Sequence, residues 1–204
     1  MTGYLRGEVS VYMTLTTHAM MAGQTDSGLE FSERYLRIAD QLGDPWLRMC
    51  AVNDKAMLLV AANRYEDALA MAPDAIRAAQ SINSVFFEFG ARIVFAEALL
   101  GLGRTAEALR SLEETLKLHV EAWPLFTSRA WRCLAATHAA LGNEKEGRRA
   151  EAQAAAWAAK AGKGGMLREF LEPTAPSGNT QTPSAPPRAA ALRVRRVGRP
   201  RRPA

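Results

Sequence analysis

Imidazole, thiol and carboxylate groups are the side chains from which a hydrolytic, redox or metal site would be built. In this 204-residue chain the histidines are His18, His119 and His138, and the cysteines are Cys50 and Cys133. A helical transition-metal site takes ligands at i, i+4 spacing, and no two histidines stand so. Cys133 and His138 are five residues apart. On one helix that separation is about 500° of rotation, so a thiolate and its base would diverge. No G-x-x-x-x-G-K-[ST] segment is present to cradle a phosphate, and Gly162-Lys163-Gly164-Gly165 follows an alanine-rich stretch. Gly101-Leu102-Gly103 follows helical sequence rather than a strand, so it is no dinucleotide loop. These patterns predict a non-enzymatic chain with no cofactor and no metal. The two cysteines are read as reduced, partly buried thiols, because they fall at non-equivalent places in the repeat described below.

The other concentrated chemistry is cationic. From Pro173 onward the chain has seven arginines, seven of its ten prolines and no acid, whereas the residues before it carry 19 basic and 21 acidic side chains. The basic balance is therefore a property of the last residues alone. Residues 173–204 are expected to form a disordered Pro/Arg-rich tail. Arg193, Arg195, Arg196, Arg199, Arg201 and Arg202 are its candidates for neutralising nucleic-acid phosphates. Gly198-Arg199-Pro200 resembles the core of an AT-hook, a minor-groove reader, although Val197 stands where that motif prefers a basic residue.

Whatever binds or fails to bind, the positioning elements are helices. Gly23, Asn63, Gly103 and Gly142 lie 40, 40 and 39 residues apart, each between two helical stretches. Gly and Asn tolerate the left-handed backbone that ends a helix. Small residues recur in register about them: Ala56, Ala68 and Ala75; Ala96, Ala108 and Thr115; Ala135, Gly147 and Ala154; and, more loosely, Thr16, Gly28 and Tyr35. At those offsets they let helices approach closely by ridge-into-groove packing. The run Ala108, Leu109, Leu112, Thr115 and Leu116 forms one apolar stripe, with Arg110, Glu113, Glu114 and Lys117 opposite. Gly43-Asp44-Pro45 supplies a helix stop, an N-cap carboxylate and a first-turn proline; Asn83-Ser84 and Pro124 mark later starts.

The pattern predicts first helices over 9–21, 45–61, 85–101 and 124–140, and second helices over 26–41, 65–81, 105–119 and 144–161. Pro73 is expected to kink or restart its helix. The fold class is all-α: an α-solenoid of four antiparallel hairpins spanning about 9–43, 44–83, 84–122 and 123–162. A short closing helix at 165–172 completes a domain over 1–172.

The run Leu102-Gly103-Arg104-Thr105-Ala106-Glu107-Ala108-Leu109, with Ala96, resembles the tetratricopeptide repeat. The resemblance covers about residues 9–161. It departs from the usual unit of about 34 residues and lacks the closing proline. Longer units resemble the C-terminal repeat regions of bacterial LuxR/MalT-type regulators and ATPase-fused cyclases, and Met166-Leu167-Arg168-Glu169-Phe170-Leu171-Glu172-Pro173 is similar to their closing stretch.

The resemblance implies a concave face lined by the first helix of each hairpin, here Met13, Thr17, Asn53, Asp54, Met57, Ile93, Glu97, Arg129 and Arg132. Such a face suits an extended peptide or a partner helix. The implied function is a protein-interaction adapter in bacterial signalling or transcriptional regulation. Two alternatives stand beside it: a detached regulatory region of a larger ATPase-containing regulator or adenylate cyclase, and nucleic-acid binding through the tail. With no 18-residue apolar span and no hydrophobic leader at Met1–Glu8, a cytoplasmic protein without membrane contact is expected. An uncapped N-terminal edge is expected to favour self-association.

Overall fold

The computed structural model describes residues 2–118 and 123–161. The expected closing helix at 165–172, the tail with its arginines, and His119 lie outside the described residues. Among the described residues there are eight helices and no strand: α1 (Thr2–Ala22), α2 (Thr25–Leu42), α3 (Pro45–Ala61), α4 (Tyr65–Ser81), α5 (Val85–Gly101), α6 (Thr105–Leu116), α7 (Pro124–Ala140) and α8 (Glu144–Ala161). Each packs on the next in the chain, and α1, α3, α5 and α7 also touch in succession along one side.

The turns explain this regularity. Gly23, Gly43, Asn63, Asn83, Gly103 and Gly142 all have positive φ, and the first five stand at intervals of 20 residues. The module is thus one helix and one left-handed turn, and the 40-residue unit read from the sequence is two of them. Most turns close the same way, with the residue after the left-handed one donating to the carbonyl five back. Gln24 N donates to Ala19 O, Arg64 N to Leu59 O, Ser84 N to Ala79 O, Arg104 N to Leu99 O and Asn143 N to His138 O. This is the Schellman arrangement that satisfies the orphan carbonyls of a helix end. At α3 the Asp44 carboxylate accepts from Trp46 N and Leu47 N, with Pro45 in the first turn.

The small residues of the repeat are where the helices meet. Ala56, Ala68, Ala75, Ala96, Ala108, Thr115, Ala135 and Ala154 are all buried, as are Thr16 and Tyr35 in the first hairpin. Around them lie apolar clusters, one joining α1 to α4 through Val9, Tyr35, Ile38, Met49 and Ala79. Another joins α5 to α8 through Ala96, Leu112, Leu134 and Ala150.

Three expectations need correction. The first helix begins at Thr2, not residue 9; Gly3 and Gly7 weaken it but do not stop it. The sixth ends at Leu116 rather than 119. The fourth runs as one helix from Tyr65 to Ser81 through Pro73, without the restart that was one of the two expected outcomes. Pro73 is on the exposed side, and the opposite side, Ala68, Ala72, Ala75 and Ala79, is fully packed. Tertiary burial there outweighs one missing backbone hydrogen bond.

Candidate partner-binding face

Every candidate residue outside the tail belongs to α1, α3, α5 or α7. On α1, Thr17 is exposed and its Oγ1 donates to Met13 O at 3.0 Å. Met13 itself is half-buried against the Val9–Tyr35 cluster. On α3, Asn53 is 5% exposed. Its Nδ2 donates to Met57 Sδ at 3.6 Å, while Oδ1 has no partner. Gly90 of α5 leaves a notch beside it: a Cβ there would lie 3.6 Å from Asn53 Oδ1 and 3.4 Å from the Phe126 ring.

Asp54 is half-buried and makes no hydrogen bond or ion pair among the described residues. Burial pushes its carboxyl up to about 7. The charged form has been desolvated without a compensating cation.

Ile93 was expected to line the face, but it is fully buried between Phe89, Ala130 and Phe126. It is packing beneath the face, not surface on it. Glu97 of α5 and Arg129 of α7 form a two-pronged ion pair across neighbouring hairpins, with Arg129 Nε donating to Oε1 at 2.7 Å and Nη2 to Oε2 at 2.6 Å. Burial works against the Arg129 charge, and the Glu97 carboxylate more than offsets it, so the guanidinium pKa is raised. The pair lines an open hollow of about 340 Å³ with Leu100, Gly101, Arg132 and Cys133. Arg132 is exposed and has no ion-pair partner among the described residues.

The structure adds residues that the sequence reading did not single out. Phe86 stacks edge-on with Phe87, Trp123 and Phe126 at ring-centre distances of 5.0, 4.8 and 5.0 Å. This aromatic group sits at the N-terminal ends of α5 and α7, beside the Gly90 notch. Its signal was available in the repeat register: Phe87 and Phe126 both stand 16 residues before their turn residue, where the second repeat has Leu47.

Burial pushes the Cys133 thiol up to about 12 and the Cys50 thiol well above its usual range, so neither is a thiolate at neutral pH. Both cysteines are free, in separate hairpins. Among the described residues no three His, Cys, Asp or Glu side chains converge on a metal position, and no helix is long and apolar enough to cross a membrane.

No known protein family and no curated protein matches the chain. Among solved structures it is similar to "MamA MSR-1 C2", a tetratricopeptide-type protein, with a TM-score of 0.51 and 22% identity over 75% of this chain and 78% of that one. At that identity the likeness speaks to architecture alone. The chain has a tetratricopeptide-like α-solenoid fold.

Proposed function

We propose that this protein is a non-enzymatic adapter that docks an extended peptide or a partner helix on the face formed by α1, α3, α5 and α7. One observation carries the reading: this face holds polar groups left without internal partners. Asn53 Oδ1 is buried and unsatisfied, the Asp54 carboxylate is desolvated, and Arg132 projects unpaired from the hollow beside the Glu97–Arg129 pair. Leaving a buried polar group unmatched costs about 1–3 kcal/mol, a cost that a ligand offering the missing donors and acceptors would recover. The acceptors lie on α3 and the free cation on α7, so the fitting partner carries a donor-rich or basic residue at one end and an acidic one at the other.

The 40-residue double module supports a setting in bacterial signalling or transcriptional regulation, inside the cell. The test is affinity capture from cell lysate with the wild-type chain, Asp54→Lys and Arg132→Glu in parallel. A protein held by the wild type and lost from both variants supports docking on this face. Retention by both variants places binding elsewhere. Material held by the wild type, released by salt, and missing from a chain ending at Glu172 moves the function to the arginine tail.

A further inference from the structure

The lining of the hollow between α5 and α7 recurs in register at each step of the face, and its chemistry changes from step to step. Counted back from the turn residues Gly103 and Gly142, the hollow is lined at 6, 3 and 2 residues on α5 by Glu97, Leu100 and Gly101, and at 13, 10 and 9 residues on α7 by Arg129, Arg132 and Cys133. The same offsets on α3 and α5 give Met57, Val60, Ala61, Gly90, Ile93 and Val94, an apolar set. On α1 and α3 they give Thr17, Met20, Met21, Cys50, Asn53 and Asp54. α1 touches α3, α3 touches α5 and α5 touches α7, so the three steps follow one another along the face.

Charge is left over at the two ends of this series. Glu97 and Arg129 neutralise each other. That leaves the Asp54 carboxylate at the first step and the Arg132 guanidinium at the third without ion partners among the described residues. Met20 and Met21 share the first step with Asp54, and thioethers pack adaptably along the aliphatic stem of a lysine or arginine. Asn53 adds a buried acceptor, Oδ1, that nothing bonds. A partner helix bonds its amides to its own carbonyls, whereas an extended chain has amides free to donate to that oxygen.

We infer that the occupant of the docking face, on the reading proposed above, is an extended peptide segment whose basic, aliphatic and acidic side chains follow one another at intervals of about three residues. Packed helices stand about 8–10 Å apart. Two steps, from the first set to the third, therefore span about 16–20 Å, or about six residues of extended chain at about 3.3 Å each. The basic side chain enters toward Asp54, the aliphatic one lies on Met57 and Val60, and the acidic one meets Arg132. A segment with two acidic or two basic ends brings like charges together at one of the steps and is rejected.

Fluorescence anisotropy of the full chain with labelled synthetic serine peptides tests this. Each peptide carries one lysine, one leucine midway and one aspartate, with the two charges about three, six or twelve positions apart, twelve being the separation at which a helix spans the same distance. The six-position peptide should bind at least about tenfold tighter than the other two. Asp54→Lys and Arg132→Glu should each weaken it at least about tenfold. Exchanging the peptide's aspartate for lysine should restore binding to Arg132→Glu, and exchanging its lysine for glutamate should restore binding to Asp54→Lys. Circular dichroism checks that both variants keep the helices, and Arg132, being exposed, carries the test if Asp54→Lys does not fold. Affinity that ignores the spacing, binding insensitive to Arg132→Glu, or no binding of any peptide at about 1 mM would overturn the inference. If the lysate partner is nevertheless lost from both variants, docking on this face stands and the spacing alone falls. Retention of that partner by both variants removes the docking reading as well.

Discussion

Asp54 is a carboxylic acid on a helix that offers it no partner, and its consequences can be worked through in sign. Its folded pKa, about 7, lies above the ordinary value of 3.8. Between those pH values the native state holds the proton and the unfolded chain releases it, so this group makes stability fall as pH rises through that window. The penalty is complete above the folded pKa. Asp54→Asn should therefore stabilise the protein at pH 8 by ~2 kcal/mol, part of the full shift because the side chain keeps some contact with water, and by almost nothing at pH 3. Urea titrations at the two pH values check it; equal gains at both would show that the carboxylate is already paired. Glu97 is the opposite case. Its contact with Arg129 is 18% and 26% exposed on the two sides, and Glu97→Ala leaves a half-buried guanidinium alone. A loss of ~2 kcal/mol in chemical denaturation is expected, with a smaller loss for the double variant Glu97→Ala/Arg129→Ala. The sequence placed both acids on first helices of their hairpins, α3 and α5. It could not distinguish them, because pairing and desolvation come from tertiary packing, the Arg129 contact for Glu97 and burial without a cation for Asp54.

At the scale of the helix, most of the architecture was legible because the local signals agree. Left-handed Gly and Asn, the Asp44 cap and the alanines at close approaches all point to one arrangement, and the boundaries of α3, α4, α5, α7 and α8 coincide with those read from the sequence. The errors arose where a local signal was trusted against tertiary packing. The first helix was expected to start at residue 9 and starts at Thr2, and Pro73 suggested a restart in α4 that burial of the alanine side suppresses. The shorter 20-residue module was also missed, since Gly43 and Asn83 were read as boundaries between repeats and not as the same turn. Pro73 gives an element-scale prediction. Pro73→Ala restores an amide donor toward the carbonyl one turn back, on an exposed position. The stability gain should be ~1–2 kcal/mol in thermal or urea unfolding, the helix-propensity term less the unfolded-chain entropy that proline had removed. A loss would mean that the proline ring itself makes packing contacts.

For the whole molecule, contacts run between successive helices and between hairpins that are immediate neighbours. Such a chain behaves as a line of coupled units rather than a body with one central core. One apolar cluster is held by Tyr35 and Met49 over α1–α4 and another by Leu112 and Leu134 over α5–α8, while two more, Leu58–Ala68–Ala98 and Val52–Ala75–Ala91, cross from α3 and α4 to α5. The joint between the halves is the packing of α3 and α4 on α5, with Phe87 reaching the first cluster from the second half. A cavity in the second cluster should therefore be felt unevenly. Leu112 is fully buried and shares an apolar cluster with residues of α5, α7 and α8, so Leu112→Ala should cost ~3 kcal/mol where it acts. In hydrogen exchange of that variant, amides of α6, α7 and α8 should lose protection by about a hundredfold, while those of α2 and α3 change little. Equal loss along the whole chain would mean that all four hairpins unfold as one unit, with the coupling across α4 and α5 exceeding the intrinsic cost of opening either half.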